Sequence, residues 1–191
     1  MKRIGILGGT FNPIHLGHLA IAQWAYEKLK LDKVIFVPSY FPPHKTTRGV
    51  VEAKHRFEMV KLAIEDNSYF EISDFEIQKK GKSYSIDTVR YFRHHFPKPT
   101  KFYFLIGEDA YKTLSTWRNI EELLGITQFV VMNRPGFQRN PSAIPVRFLT
   151  MLGIDVSSSY IRKCLASSKS VKYFLPEKVL RYIKEHQLYQ S

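Results

Sequence analysis

Short, unbroken apolar runs recur along this chain, and each closes on glycine, proline or polar residues: RIGILGG (3–9), KVIFVP (33–38), KFYFLIG (101–107) and TQFVVMNRPG (127–136). A strand with one wet face alternates apolar and polar residues. A continuous run means that both faces are covered, as in a parallel sheet held between helical layers. The intervening segments supply the helices. From Leu16 to Lys30 the residues Leu16, Leu19, Ala20, Trp24 and Leu29 fall at helical spacing, with Trp24 read as core. Two such strands joined by a helix make a right-handed βαβ unit.

Further helices are expected over 53–65, from near Ser85 to just before Pro97, and from Ser157 or Ser158 to about Ala166. A final helix runs through LPEKVLRYIKEHQLY, with Pro176 in its first turn and Glu177 beside it, as helix starts prefer. YFEISDFEIQ (69–78) alternates as a strand does, and VRFLTMLGIDV (146–156) reads as a last strand interrupted around Gly153. The expectation is an α/β fold: a doubly wound, Rossmann-like parallel sheet in a single domain over 1–191, with about 157–191 forming a small C-terminal helical extension.

Charge narrows the partners without choosing one. Lys and Arg total 29 against 17 acids, a net charge of +12. Such a surplus attracts polyanions, whether nucleic acid, nucleotides or phosphorylated substrates. The positives are scattered (Lys28, Lys30 and Lys33, then Lys79, Lys80 and Lys82, then Lys98 and Lys101, then Lys169 and Lys172), without a block of five. Cys164 is the only cysteine, which excludes an internal disulfide and a CxxC metal site. No apolar run reaches membrane-span length. The opening MKRIGILGG breaks at Gly8-Gly9 with no small-residue cleavage pattern, so it is not read as a signal peptide. A reducing cytoplasm is expected.

In an open parallel sheet, ligands bind beyond the carboxyl ends of the strands. The residues with chemistry to offer fall there. Gly8 and Gly9 end the first strand, PPHK lies past the second, GED ends the FYFLIG strand, RPG the next, and SSSYIR follows the last. Glycines let backbone N–H groups approach a phosphate, and a helix start adds partial positive charge. His15 and His18 stand one turn apart at such a start. Taken alone, that stretch allows a phosphate turn, a helix cap with two solvated histidines, or a zinc pair lacking its other ligands. Gly5, Gly8 and Gly9 do not form GxGxxG, which removes a nicotinamide dehydrogenase. Gly81-Lys82-Ser83 resembles the end of a P-loop. The glycine required five residues earlier is Glu76, so this stretch reads as a solvated turn.

GGTFNPIHLGH resembles the (T/H)xGH signature of the nucleotidyltransferase superfamily, and SSSYIR resembles its second signature, ISSTxIR. FPPHK, YSIDT, IGEDAYKTLSTW, NRPG and YFLPEKVLRYIKEHQLY follow the order found in bacterial nicotinate-nucleotide adenylyltransferases, so the resemblance covers nearly the whole chain. It implies transfer of AMP from ATP to the 5′-phosphate of nicotinate mononucleotide, in NAD biosynthesis. The attacking group is already an anionic phosphate, so the reaction needs positioning and charge neutralisation rather than a strong base.

The family's roles fall on matching residues. Gly8, Gly9, Thr10 and Phe11 would surround the ATP phosphates, and His15 and His18 would contact phosphates in the transition state. Ser157, Ser158 and Arg162 would hold the β- and γ-phosphates. Asp109 would lie near the nucleotide sugar or base. Lys45, with His44 beside it, would meet the mononucleotide phosphate. Ser85 would help place amides around the nicotinate carboxylate, with Asp87 as its support, and Trp117 would stack on the nicotinate ring. Mg²⁺ would arrive on the ATP phosphates, with no protein ligand. Asn12 stands where Asp is common and Ser159 where Thr is usual; Asn12 keeps an acceptor that can shape the turn.

Three other readings compete. Phosphopantetheine adenylyltransferases and cytidylyltransferases share the HxGH turn but are shorter and lack PPHK and YSIDTV in this arrangement. A class I aminoacyl-tRNA synthetase would need KMSKS and an anticodon domain. A basic RNA-binding module explains the charge and leaves the ordered strand-end motifs idle. The expected partners are thus ATP and nicotinate mononucleotide, with no nucleic acid and no membrane. The sequence leaves monomer or homodimer open, and likewise the preference for nicotinate over nicotinamide mononucleotide.

Overall fold

The structure is a computed structural model and describes residues 1–41, 49–135 and 144–190. Its strands are β1 (Lys2–Gly9), β2 (Lys33–Pro38), β3 (Phe70–Ile72), β4 (Thr100–Gly107), β5 (Gln128–Asn133) and β6 (Arg147–Thr150). They form one parallel sheet in the order β3-β2-β1-β4-β5-β6. This is a doubly wound, Rossmann-like α/β fold. The strand order reverses between β1 and β4, so a crevice opens between the carboxyl ends of those two strands. Gly8-Gly9 stands on one side of it and Gly107 on the other.

The apolar runs fill both faces, residue by residue. Ile4, Ile6, Ile35, Val37, Phe102, Phe104, Ile106, Phe129 and Val131 point into one core layer, beneath α4 (Ser85–His95) and α6 (Ile120–Ile126). Leu7, Val34, Phe36, Tyr103, Leu105, Val130 and Met132 point into the other. There they meet α1 (Leu16–Leu29), α2 (Ala53–Ile64), α7 (Ser158–Ala166) and α8 (Glu177–Glu185). A side-chain period of two in a strand with no polar face explains why the runs are continuous. The C-terminal helices belong to this second layer: Ile161, Val179 and Ile183 are buried in it.

Four expectations are corrected or refined. Residues 69–78 are not one strand: β3 ends at Ile72 and Phe75–Lys79 forms a short helix, α3. The chain turns back here to pack on α4, with the Phe75 ring stacked on Tyr91 at 4.2 Å and the buried Glu76 carboxyl accepting from the Thr88 hydroxyl at 2.6 Å. On α1 the fully buried line is Ala22, Ala25 and Leu29; Leu16, Leu19, Ala20 and Trp24 are half-buried at its flank. Trp24 packs on the core and its indole N–H donates to the Thr150 carbonyl at 3.1 Å. The last strand stops at Thr150 because the chain then crosses the Arg134 side chain: a Cβ on Gly153 would lie 3.2 Å from Arg134 Cγ. In the Gly81-Lys82-Ser83 turn, the first two residues are exposed as expected. Ser83 is buried, and its hydroxyl accepts from the Tyr40 N–H.

Phe36 sits at the centre of the second layer, fully buried, 5.9 Å from Phe11 and 5.3 Å from Phe70 between ring centroids. Phe36→Ala should cost about 3–5 kcal/mol in urea unfolding through loss of transfer energy and the cavity left behind. A loss under about 1 kcal/mol would show that this layer repacks freely.

Candidate active site

The loop after β1 is shaped by what lies under its glycines. Phe11 takes the left-handed conformation (φ 47) and folds its ring back into the core. A Cβ on Gly9 would stand 3.0–3.2 Å from three carbons of that ring, so only glycine leaves the turn unstrained. Gly8 is exposed, with the Phe104 ring below it at ordinary contact distance. Thr10 is half-buried, and the Asn12–Pro13 peptide is cis.

His15 is the N-cap of α1, with extended backbone. Its imidazole is 6% exposed and stacks on His18 at 3.8 Å between centroids. His15 Nδ1 lies over Gly17, where a Cβ would come within 3.0 Å of it and 3.2 Å of Val156 Cγ1. That crowding is the physical reason for glycine between the two histidines. The backbone N–H of His15 donates to His18 Nδ1 at 3.2 Å, so a neutral His18 carries its proton on Nε2. Burial lowers the His15 pKa from 6.5 to about 4, which makes this ring a neutral imidazole at pH 7. His15 Nδ1 has no hydrogen-bond partner among the described residues.

The two signatures touch. Ser157 caps α7 by accepting from the Tyr160 N–H at 3.2 Å. Ser158 Oγ donates to the Pro13 carbonyl at 2.9 Å, and Arg162 Nη1 donates to the Asn12 carbonyl at 2.8 Å. Arg162 Nη2 also reaches Ser159 Oγ at 3.2 Å, which leaves further N–H donors of the same guanidinium uncommitted by these bonds. These residues therefore build the loop as well as border it. Glu108, at the end of β4, accepts the Arg134 N–H at 2.7 Å, and Arg134 pairs with Asp155 at 2.7 Å, so the neighbouring strand ends are tied in as well.

The remaining expected residues fall into separate groups. Asp109 opens α5 (Glu108–Lys112) just past β4; it is exposed and pairs with Lys112 at 3.3 Å. Trp117 is half-buried, edge-on to Phe104 and Phe129 at 5.9 Å, so it is part of the first core layer. Ser85 is the first residue of α4, half-buried. The Arg118 guanidinium lies 4.8 Å from the Tyr84 ring centre, which puts the neighbourhoods of Ser85 and Trp117 together. Asp87 does not brace Ser85 through any bond described here; its carboxylate pairs with Lys79. His44 and Lys45 lie outside the described residues, as do the rest of the PPHK stretch and Gly136.

Three residues with no expected role, or only a vague one, prove central. Arg56 is 1% exposed, and its guanidinium donates to the carbonyls of Val51 at 3.0 Å, Thr10 at 2.8 Å and Tyr40 at 3.0 Å. Its sequence signal was its position on the apolar stripe of α2, with Met59, Val60, Ala63 and Ile64. Asn12 is buried: Nδ2 donates to the Gly49 carbonyl at 2.9 Å, while Oδ1 accepts from the Val51 N–H at 3.2 Å and the Tyr189 hydroxyl at 2.8 Å. Burial holds the Tyr189 phenol above its usual pKa, so it remains a donor.

This edge of the sheet offers backbone N–H groups, two imidazoles and a guanidinium, a donor set suited to an anion. Among the described residues, no three His, Cys, Asp or Glu side chains converge as a metal site would require, so the zinc reading has no further ligands there.

Comparison with known proteins agrees with this geometry. A family model described as cytidylyltransferase-like matches residues 6–164. A protein of Shouchella clausii described as "Probable nicotinate-nucleotide adenylyltransferase" is 46% identical over 189 residues, covering 99% of this chain and 97% of its own. One of Clostridium perfringens with the same description is 42% identical over 201 residues, covering 100% and 99%. Among solved structures, Plasmodium falciparum nicotinic acid mononucleotide adenylyltransferase complexed with NaAD superposes with a TM-score of 0.81 at 21% identity, covering 99% of this chain and 98% of that one. A Vibrio parahaemolyticus neighbour gives 0.75, also at 21%, covering 100% and 97%. At that identity the solved structures speak for the fold, and the curated relatives and family model for the lineage: this chain belongs to the nicotinate-nucleotide adenylyltransferase family of cytidylyltransferase-like proteins.

Proposed function

We propose that this chain transfers AMP from ATP to the 5′-phosphate of nicotinate mononucleotide, giving nicotinate adenine dinucleotide and pyrophosphate. The observation that carries the reading is the junction of residues 8–18 with residues 157–162 at the point where the strand order reverses. It gathers hydrogen-bond donors around the position that a triphosphate takes at such a crevice. Relatives at 42–46% identity over the full chain support the same substrates.

In this reading an oxygen of the mononucleotide phosphate attacks the α-phosphorus of ATP in line with the departing pyrophosphate. The N–H groups of the 8–11 loop hold the triphosphate. His18 Nε2–H and His15 donate to oxygens that gain charge as the bond to pyrophosphate breaks. Ser157 and Arg162 border the β- and γ-phosphates. Asp109 serves the sugar or base, and Ser85, Trp117, Lys45 and His44 the mononucleotide. The loop offers no anionic side chain, and both ends of the Asn12 amide are engaged, so the donor set fits Mg²⁺ carried on the nucleotide. Mg²⁺ held that way would supply positive charge for the pyrophosphate leaving group.

Purified protein with Mg-ATP should release pyrophosphate with nicotinate mononucleotide and far less with phosphopantetheine; the opposite preference would replace the proposed substrate. Tight, salt-steep RNA binding indifferent to ATP, with no turnover, would replace the enzyme by a binding module. His18→Ala should lower turnover by about 10²–10³ with the fold intact by circular dichroism. Near-wild-type turnover would remove the phosphate role of His18.

The His15 shift gives a signed pH effect. Unfolded, this imidazole binds a proton below about pH 6.5; folded, it does so only below about pH 4. The folded state thus binds fewer protons across that window, and stability falls as pH drops through it, by up to about 3 kcal/mol from this group. Urea unfolding at pH 7.5 and 4.5 should show a smaller acid loss in His15→Asn than in the wild type; equal losses would refute the buried neutral ring.

A further inference from the structure

Among the described residues Arg56 is the largest side chain buried to this degree, and the proposed chemistry gives it nothing to do. It makes no ion pair among the described residues; its donors go to three backbone carbonyls. A buried guanidinium without a carboxylate is costly to maintain unless its dipolar partners are held in place, and such a group in turn holds them. The three carbonyls come from different stretches: Thr10 from the phosphate loop, Tyr40 from the chain leaving β2, and Val51 from the chain entering α2. Asn12 makes the matching connection from the loop side, to Gly49 and Val51, with Tyr189 closing its remaining acceptor site.

We propose that Arg56, acting with Asn12, is a positioning residue for adenylyl transfer: it fixes where the 8–13 loop sits relative to residues 40–41 and 49–51, and so sets the geometry of the loop N–H donors. Arg56 is buried while Gly8 is exposed, and it acts on the loop through the Thr10 carbonyl. Lysine cannot reproduce it, because a single ammonium on a flexible stem cannot hold three carbonyls in one plane. A loop displaced by around an ångström loses in-line alignment far more than it loses ground-state affinity.

This inference rests on the adenylyltransferase reading, and wild-type turnover is its control: an inactive wild type would overturn that reading. The test is Arg56→Lys, measured by single-turnover rate at saturating Mg-ATP and nicotinate mononucleotide, by the ATP concentration for half-maximal rate, and by thermal melting. The expected result is a transfer rate about ten- to a hundredfold lower with the half-saturating ATP concentration changed less than about threefold. A wild-type rate in a folded variant would overturn the inference, as would a higher ATP requirement at unchanged rate. Should Arg56→Lys not fold, Tyr189→Phe carries the question, since it removes only the hydroxyl at the far end of the clasp. A transfer rate lowered about threefold or more at unchanged melting temperature supports it; an unchanged rate overturns it.

Discussion

The hydrogen bonds from Ser158 and Arg162 to the carbonyls of Pro13 and Asn12 join residues separated by 145 and 150 positions in the chain. Without them the carbonyls of Asn12 and Pro13 would lose these partners, and the start of α7 would not be tied to the loop after β1. With them, the start of α1 and the start of α7 face one crevice. Everything else at the site is arranged around that junction: the stacked histidines on one side, the Glu108–Arg134–Asp155 chain of contacts on another, and the Arg56–Asn12 clasp behind. Two helix starts at one crevice concentrate partial positive charge where no acidic side chain of the loop opposes it.

A division of labour follows from burial. Phe11 and Pro13 are core residues that shape the loop, and Gly9 and Gly17 are the vacancies that let the Phe11 and His15 rings fit. Gly8 alone of this group is open to solvent. The glycines of the first signature therefore serve different ends: one grants a ligand access to the backbone, and the others grant the protein access to its own side chains.

Much of the fold was legible because a sheet buried on both faces leaves continuous apolar runs, and β1, β2, β4 and β5 are such runs. Residues 75–79 misled because Phe75, Glu76 and Ile77 alternate as an edge strand would. The buried Glu76–Thr88 bond that draws them onto α4 is a tertiary fact that no local pattern encodes. His15, His18 and the 157–162 stretch could be found from motif spacing. Arg56 could not be assigned, since a charged residue on an apolar stripe reads as an exception until its three carbonyls are seen together. Asn12 was legible as a turn-shaping side chain; its partners at 49, 51 and 189 were not, because they come from distant parts of the chain.

The bond from Tyr189 to Asn12 spans 177 positions. At ordinary rates of protein synthesis, the first signature leaves the ribosome on the order of ten to thirty seconds before its last hydrogen-bond donor exists. For most of that interval the loop also lacks the α7 donors at Ser158 and Arg162, and to its end it lacks the phenol that completes Asn12. The architecture thus orders completion in time: the loop is made first, the α7 donors next, and the phenol that completes Asn12 last.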